Sequence, residues 1–201
     1  MVSGLEILGI ENKNSFVDKL LFYKDLLIKW NKTYNLTGIT DEQDIITHHL
    51  LDCLSVTKFV SAKNIMDVGS GAGLPGLILA LCFPDRKITM VDKVGKKTAF
   101  IQQVIGEFNL NNARVLNGRV EDIKNYKHYD GIISRAFADM ETMIKLTSHL
   151  LLDGANWYGM KSKKSRDSEM ITMKYSYHVD KIDVPHLRAE RYLITVVNAT
   201  N

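Results

Sequence analysis

The sequence has few cysteines and prolines and no long apolar run. Two of its 201 residues are cysteines, Cys53 and Cys82, and they form no CxxC pair. This usage gives no disulfide framework and no zinc-site spacing, so we expect no metal site and a reducing, cytoplasmic environment. No apolar run reaches the roughly 18 residues of a membrane span, and the N-terminus lacks the apolar segment of a signal peptide. These absences predict a soluble intracellular protein.

The charge balance is only mildly basic. Lysine and arginine number 26 against 23 aspartate and glutamate, a formal charge of +3. Such a balance permits a polyanionic partner but does not require one. The hydrophobic fraction of 45% is enough to build one globular core.

The apolar pattern changes character near residue 60. Phe16, Leu20, Tyr23, Leu27 and Trp30 recur at helical spacing, and Thr40 with Gln43 resembles a capping box that opens a second helix to about Thr57. After that, short apolar runs alternate with helical segments. They predict strands over 64–68, 87–92, 113–117, 129–134, 155–161, 178–184 and 191–198, with helices over 74–83, 95–108 and 140–152 and a polar helix before the last two strands.

This alternation predicts an α/β fold with a doubly wound, seven-stranded, mostly parallel sheet. The last two strands are close enough in sequence to form an antiparallel hairpin at one edge. We expect a helical extension over 1–60 packed on a single core over 61–201.

A glycine-rich turn follows the first predicted strand. The segment 67–76 reads DVGSGAGLPG, with Gly69, Gly71 and Gly73 giving backbone freedom for a close approach to a ligand. A strand that runs through such a turn into a helix is typical of a nucleotide-cofactor site. Asp67 lies two residues before the first glycine, where it would repel the pyrophosphate of NAD or ATP. S-adenosylmethionine has no phosphate and carries an amino cation and a sulfonium, so the loop favours a methyltransferase.

Acidic residues follow the next two strands. Asp92 ends the second strand about twenty residues beyond the glycines, where a carboxylate can accept both ribose hydroxyls. Val120 and Glu121 follow the third strand, where a backbone N–H and a carboxylate could contact the edge of adenine. Both positions extend the predicted cofactor site.

The end of the fourth strand limits the acceptor chemistry. Residues 133–137 read ISRAF, without the Asn/Asp-Pro-Pro-aromatic turn typical of enzymes that methylate adenine amines. Neither cysteine lies near this strand end, as methylation at pyrimidine C5 would require. We therefore expect an acceptor that already has a free lone pair, of which N7 of guanine is one example. Such an acceptor needs alignment rather than a general base.

Four segments in order resemble one family. They are KWNKTYNLT at 29–37, HLLDCL at 49–54, the 67–76 loop and ISRAF at 133–137. Together they are similar to the bacterial small-subunit (16S) ribosomal RNA guanine-N7 methyltransferases, also called glucose-inhibited division protein B, over nearly the whole chain. The resemblance implies a class I, Rossmann-like methyltransferase fold with an N-terminal helical extension. It also implies S-adenosylmethionine contacts at Gly69, Leu74, Val120, Glu121 and Arg135, and a 16S ribosomal RNA or small-subunit substrate.

Basic residues gather at the same predicted edge of the sheet. Arg119 and Arg135 end the third and fourth strands, and Lys161, Lys163, Lys164 and Arg166 follow the fifth. We interpret them as candidate RNA-binding residues, with Arg135 also a positioning candidate in catalysis. The family commonly has Lys-Gly where Lys161 and Ser162 stand, which concerns the RNA-side loop rather than the reaction.

Other interpretations stay open at this stage. A small-molecule or protein methyltransferase could use the same fold, and a non-catalytic RNA-binding module is a third possibility. The sequence assigns no role to Tyr34, Asn35, His48 or His49, and it does not say which guanine is methylated. We expect a monomer.

Overall fold

A computed structural model describes residues 1–11, 14–124, 126–162 and 175–198. Within these ranges the strands are β1 (Asn64–Val68), β2 (Lys87–Asp92), β3 (Ala113–Asn117), β4 (Tyr129–Arg135), β5 (Leu151–Lys161), β6 (Tyr177–Ile182) and β7 (Arg191–Val197). They form one seven-stranded sheet in the order β3-β2-β1-β4-β5-β7-β6. The first five strands run parallel, and β7 is antiparallel to both β5 and β6. The predicted fold class and the edge hairpin are therefore confirmed.

Seven α-helices lie in the described residues. They are α1 (Val2–Ile7), α2 (Asn14–Tyr34), α3 (Glu42–Ile45), α4 (Asp52–Ser55), α5 (Gly76–Cys82), α6 (Gly95–Phe108) and α7 (Met140–Thr147). A π-helical turn over Ile46–Leu51 joins α3 to α4, and 3₁₀ turns cover Thr57–Phe59 and Val120–Asp122. The predicted second helix is therefore interrupted by a wider turn, a feature that often occurs at functional sites.

Some predicted boundaries are wrong, including the start of β5, which is Leu151 rather than residue 155. The first turn of α3 is capped by Asp41 rather than Thr40, because the Asp41 carboxylate accepts from the backbone of Gln43 and Asp44. The helix predicted over 140–152 ends at Thr147, since Leu151 already pairs with Tyr129 of β4. The polar helix predicted before β6 falls largely on 163–174, outside the described residues.

The N-terminal helices pack against the glycine loop. Tyr23 of α2 is fully buried, and its hydroxyl donates to the carbonyl of Ala72 at 2.8 Å. Tyr23 and Trp30 also pack edge-on against Phe100 of α6. The face of α6 that packs on the core consists of buried side chains, among them Thr98, Ile101, Val104, Ile105 and Phe108. The residues before β1 thus share one apolar core with the sheet.

The strand order fixes where a ligand can bind. The chain passes outward from β1 to β2 and β3, then returns to the other side of β1 with β4. In open parallel sheets, ligands bind at the carboxyl ends of the strands where the order reverses. Here that point lies between β1 and β4, beside the glycine loop and Arg135.

Candidate cofactor and acceptor site

The glycine loop is held in a conformation that few side chains tolerate. Gly69, Gly71 and Gly73 have φ values of 67°, 59° and 83°, in the left-handed region. Ser70 fixes the loop to β2, because its hydroxyl donates to Asp67 O at 2.8 Å and accepts from Val91 N at 3.0 Å. The loop therefore presents its backbone to the crevice in a fixed shape.

Asp67 lies beneath the loop. Its side chain is fully buried, and Oδ2 accepts from the backbone N–H of Gly76 at 2.8 Å. Its Oδ1 has no hydrogen-bond partner among the described residues. Burial raises the pKa of Asp67 to about 7, although the Gly76 N–H opposes the shift. In this position Asp67 shapes the start of α5 and lines neither cavity at the sheet edge. The expectation that its charge acts directly on the cofactor is therefore wrong, because the carboxyl group is buried under the loop.

Asp92 connects the two loops at the carboxyl ends of β1 and β2. Its Oδ2 accepts from Gly71 N at 3.0 Å, and its Oδ1 accepts from Val94 N at 2.9 Å. Each carboxylate oxygen has a second lone pair. Asp92 can therefore hold the loop and still accept from a ligand hydroxyl.

A cavity of about 400 Å³ opens beside Asp92. Gly118, Val120, Glu121 and Phe137 line its far side. Arg119 also lines it, and its exposed guanidinium lies 3.3 Å from a carboxylate oxygen of Glu121. Lys93 and Lys97 complete the charged part of the lining, and the rest of the wall is largely apolar. The cavity can hold a nucleoside, because Asp92 and Glu121 offer acceptors for its hydroxyl and amino groups beside an apolar surface for its base.

A second cavity of about 460 Å³ adjoins the first, and both are lined by Gly69, Lys97 and Ala136. Its wall combines the glycine loop, including Gly71 and Leu74, with loop residues from the N-terminal helices and the ends of β5 and β7. The charged and imidazole side chains in this wall are Lys97, Arg135, Lys161, Arg191, Asp52, His48 and His49. We call this second space the cationic cavity.

Arg135 lies in the floor of the cationic cavity and is mostly buried. Its Nη1 donates to the carbonyl of His48 at 2.9 Å and lies 3.1 Å from Nδ1 of His49. Asp52 Oδ2 lies 3.5 Å from the same nitrogen. The next residue, Ala136, has a φ of 58°, an uncommon conformation for a residue with a Cβ and one that recurs at functional sites.

His49 is held as a neutral ring. Burial, and secondarily the Arg135 cation, lower the pKa of His49 to about 4. Nδ1 of His49 lies 3.1 Å from Nη1 of Arg135 and 3.2 Å from the carbonyl of His48, and Nε2 lies 2.8 Å from the Thr37 hydroxyl. Asn31 in turn binds the backbone N–H and carbonyl of Thr37. A chain of hydrogen bonds thus runs from α2 to the end of β4.

Most of the predicted site residues lie around these two cavities. Gly73 is an exception: an added Cβ there would clash with Leu77, so this glycine serves the packing of the loop on α5. Lys161 lines the cationic cavity and donates to the carbonyl of Ala138 at 2.7 Å. Lys163, Lys164 and Arg166 lie outside the described residues.

Sequence reasoning missed two charged residues of the site. Asp52 and Arg191 form an ion pair at 3.1 Å in the wall of the cationic cavity. One signal was present: Asp52 interrupts the apolar run 50–54, and a carboxylate in such a run is usually paired. Nothing local distinguished Arg191 from other basic residues.

The described ranges hold no group of three or more histidine, cysteine, aspartate or glutamate residues arranged to bind a metal ion. Within the same ranges, no helix combines the length and hydropathy that crossing a bilayer requires.

The sheet order and the loop geometry define the class of the protein. Both belong to the class I methyltransferases, and a methyltransferase from Aquifex aeolicus, described as SAM-dependent, has the same fold. The two structures superpose with a TM-score of 0.61 at 12% identity, covering 78% of this chain and 93% of the other.

The family follows from sequence comparison. The family model for rRNA small subunit methyltransferase G matches residues 17–194. Ribosomal RNA small subunit methyltransferase G of Neisseria meningitidis serogroup C is 44% identical over 195 residues, covering 95% of this chain and 93% of its own length. Its counterpart in Methylobacillus flagellatus is 40% identical, covering 96% and 94%. The chain belongs to the rRNA small subunit methyltransferase G family.

Proposed function

We propose that this chain transfers a methyl group from S-adenosylmethionine to N7 of a guanine in small-subunit (16S) ribosomal RNA. One observation carries the proposal: a cavity that offers the carboxylates of Asp92 and Glu121 adjoins the cationic cavity at the carboxyl edge of the sheet. The first can bind the hydroxyl and amino groups of a nucleoside, and the second suits a polyanionic substrate. The names of the chain's relatives support a small-subunit RNA.

The residues around the first cavity fit S-adenosylmethionine. A Cβ at Gly69 would lie 2.5 Å from the Phe137 ring, so glycine at this position lets the ring pack against the loop in the wall of the cavity. An added Cβ at Gly71 would have only the Gly69 carbonyl oxygen within 4.0 Å, so there is space for a ligand beside this residue. Asp92 can accept hydrogen bonds from the ribose hydroxyls, and Val120 and Glu121 would contact the edge of adenine. When bound, the cofactor supplies an electrophilic methyl group on a sulfonium.

The chemistry of the cationic cavity favours an acceptor that loses no proton. Asp52 is the one carboxylate in its described lining, and two arginines already engage it. The lining contains no cysteine, because Cys53 is buried away from it. Guanine N7 has a free lone pair in neutral RNA and needs neither a base nor a nucleophile. Arg135 and its neighbours are then required to orient the base and the cofactor.

A methyl acceptor on a small molecule or a protein is the main alternative, and His48 in the cavity wall could then act as a base. The family relationship and the cationic lining favour RNA. We also propose that one copy of the chain suffices for the reaction.

The test is to map methylated guanines. Small subunits from cells that lack this chain are incubated with the purified protein and S-adenosylmethionine, and N7-methylguanine is then located by chemical cleavage of the 16S RNA. We expect one new site that wild-type cells already carry. Methylation at another atom, or none with subunits, naked RNA or assembly intermediates, would refute the proposal.

A further inference from the structure

Asp52 is a buried carboxylate that contacts two arginines from different strands. Its Oδ1 accepts from Nε of Arg191 at 3.1 Å, and its Oδ2 lies 3.5 Å from Nη1 of Arg135. Arg135 ends β4 and Arg191 begins β7. One side chain from the N-terminal helices thus connects two strand ends that face the cationic cavity.

The two arginines depend on Asp52 to different degrees. Arg135 has further contacts with the His48 carbonyl and the His49 ring. Arg191 also donates to the carbonyl of its neighbour Glu190 at 3.0 Å, but in the described part of the chain Asp52 is its only side-chain partner. Removing the Asp52 carboxylate should therefore leave Arg135 anchored and release Arg191.

Arg191 has donor capacity left for a ligand. Nε and Nη1 are occupied, whereas Nη2 donates to no residue within the described ranges. An arginine in contact with RNA binds either a phosphate or the O6 and N7 atoms of guanine. Contact with N7 would occupy the lone pair that receives the methyl group. A phosphate is therefore the compatible partner.

We propose that Asp52 is a positioning residue for the RNA substrate, because it holds Arg191 in the cationic cavity where Nη2 donates to a phosphate at or beside the target nucleotide. The inference rests on the proposed function and extends it by assigning different roles to the two arginines. Arg135 stays anchored in the floor of the cationic cavity by His48 and His49, and Arg191 binds the RNA phosphate.

The experiment compares Arg191→Gln, Arg191→Lys, Asp52→Asn and the Asp52→Asn/Arg191→Gln double variant. Asp25→Asn is the matched control, because it also removes an ion-paired carboxylate, here an exposed one beside Lys24. The probe is the small ribosomal subunit from cells lacking this chain. Three quantities are measured: the Kd for S-adenosylmethionine, the Kd for the subunit across a salt series, and the single-turnover methylation rate.

We expect Arg191→Gln and Asp52→Asn to weaken subunit binding about tenfold or more while changing the cofactor Kd less than about threefold. The slope of log affinity against log salt should fall by about 0.7–0.9 in Arg191→Gln, the value for one lost phosphate contact. Arg191→Lys should keep that slope and part of the affinity. The double variant should be no worse than Arg191→Gln, since Asp52 acts through Arg191. Asp25→Asn should behave as wild type.

Other results would overturn the inference. Arg191→Gln with wild-type subunit affinity and salt slope would exclude the phosphate contact, and this variant decides even if Asp52→Asn does not fold. A cofactor Kd that rises as much as activity falls would make Arg191 a cofactor ligand. Additive losses in the double variant would show that Asp52 acts independently. If instead the wild-type protein fails to methylate N7, the proposed function fails, whatever the variants do.

Discussion

The neutral state of His49 makes a quantitative prediction about acid stability. Lowering its pKa from the usual 6.5 to about 4 makes protonation about 3 kcal/mol less favourable in the folded protein than in the unfolded chain. Because the folded-state pKa is depressed, this contribution is fully present above pH 6.5 and is lost as the pH falls toward 4. At pH 4.5 about 2.5 kcal/mol of it should be gone.

The perturbation is His49→Gln, which keeps a polar side chain beside Thr37 and Arg135 but cannot be protonated. The free energy of unfolding is measured by urea titration at pH 7.5 and pH 4.5. Between these two conditions the wild type should lose about 2.5 kcal/mol more stability than the variant. His178→Gln is the control, because that ring is 72% exposed on β6 and should change the difference by under about 0.5 kcal/mol.

The result that would refute the reasoning is a His49→Gln variant whose stability falls between the two pH values as much as that of the wild type. His49 would then be able to protonate freely in the folded protein.

The other predictions concern the cofactor loop and the acceptor. Gly71→Val should abolish S-adenosylmethionine binding in calorimetry while the protein stays folded, because valine disfavours a φ of 59° and its side chain would fill the space beside the loop. Gly106→Val is the control: an added Cβ there meets no atom within 4 Å, so this variant should bind the cofactor normally. Asp92→Ala should weaken cofactor binding by about 1–3 kcal/mol, as expected for a charged acceptor that also holds Gly71 and Val94, and an unchanged Kd would contradict a ribose contact. The single-turnover rate with saturating RNA and cofactor should lack a rising limb between about pH 5.5 and 8, whereas a log-linear rise would indicate an acceptor that must be deprotonated.

The sheet was predictable because its strands are short apolar runs separated by helical segments and polar turns. Three of them, β1, β2 and β3, have the predicted bounds. The α7–β5 boundary was not predictable in the same way, since the leucines at 150–152 continue a helical pattern. Only their pairing partner decides the matter: the carbonyl of Leu150 accepts from Tyr129 N of β4. At this boundary the pairing with β4 determines the structure, although the local sequence favours a helix.

The two halves of the site differ in how far the sequence could predict them. The glycine loop and Asp92 follow from strand order alone, because parallel strands bring their carboxyl ends to one edge. The contact between Asp52 and Arg191 spans 139 residues and joins a helix to an antiparallel strand. No periodicity encodes such a pair. It depends on the register of β7 in the sheet and on the position that the π-helical turn gives to Asp52 at the start of α4.

The charge of the cationic cavity is informative about what fills it. S-adenosylmethionine carries a sulfonium and an ammonium against one carboxylate, so its net charge is positive and a cationic wall beside it is unfavourable unless further anions enter the same space. Asp52 offsets only part of the charge of Arg135 and Arg191, and Lys97 and Lys161 add to it. Methyl transfer to N7 moves the positive charge from the sulfur to the base and removes none of it. The compensating anions must therefore come with the substrate, and RNA brings one phosphate with each nucleotide. The cavity's charge is thus better explained by the acceptor than by the cofactor, which is the reason to look for the phosphate contact at Arg191.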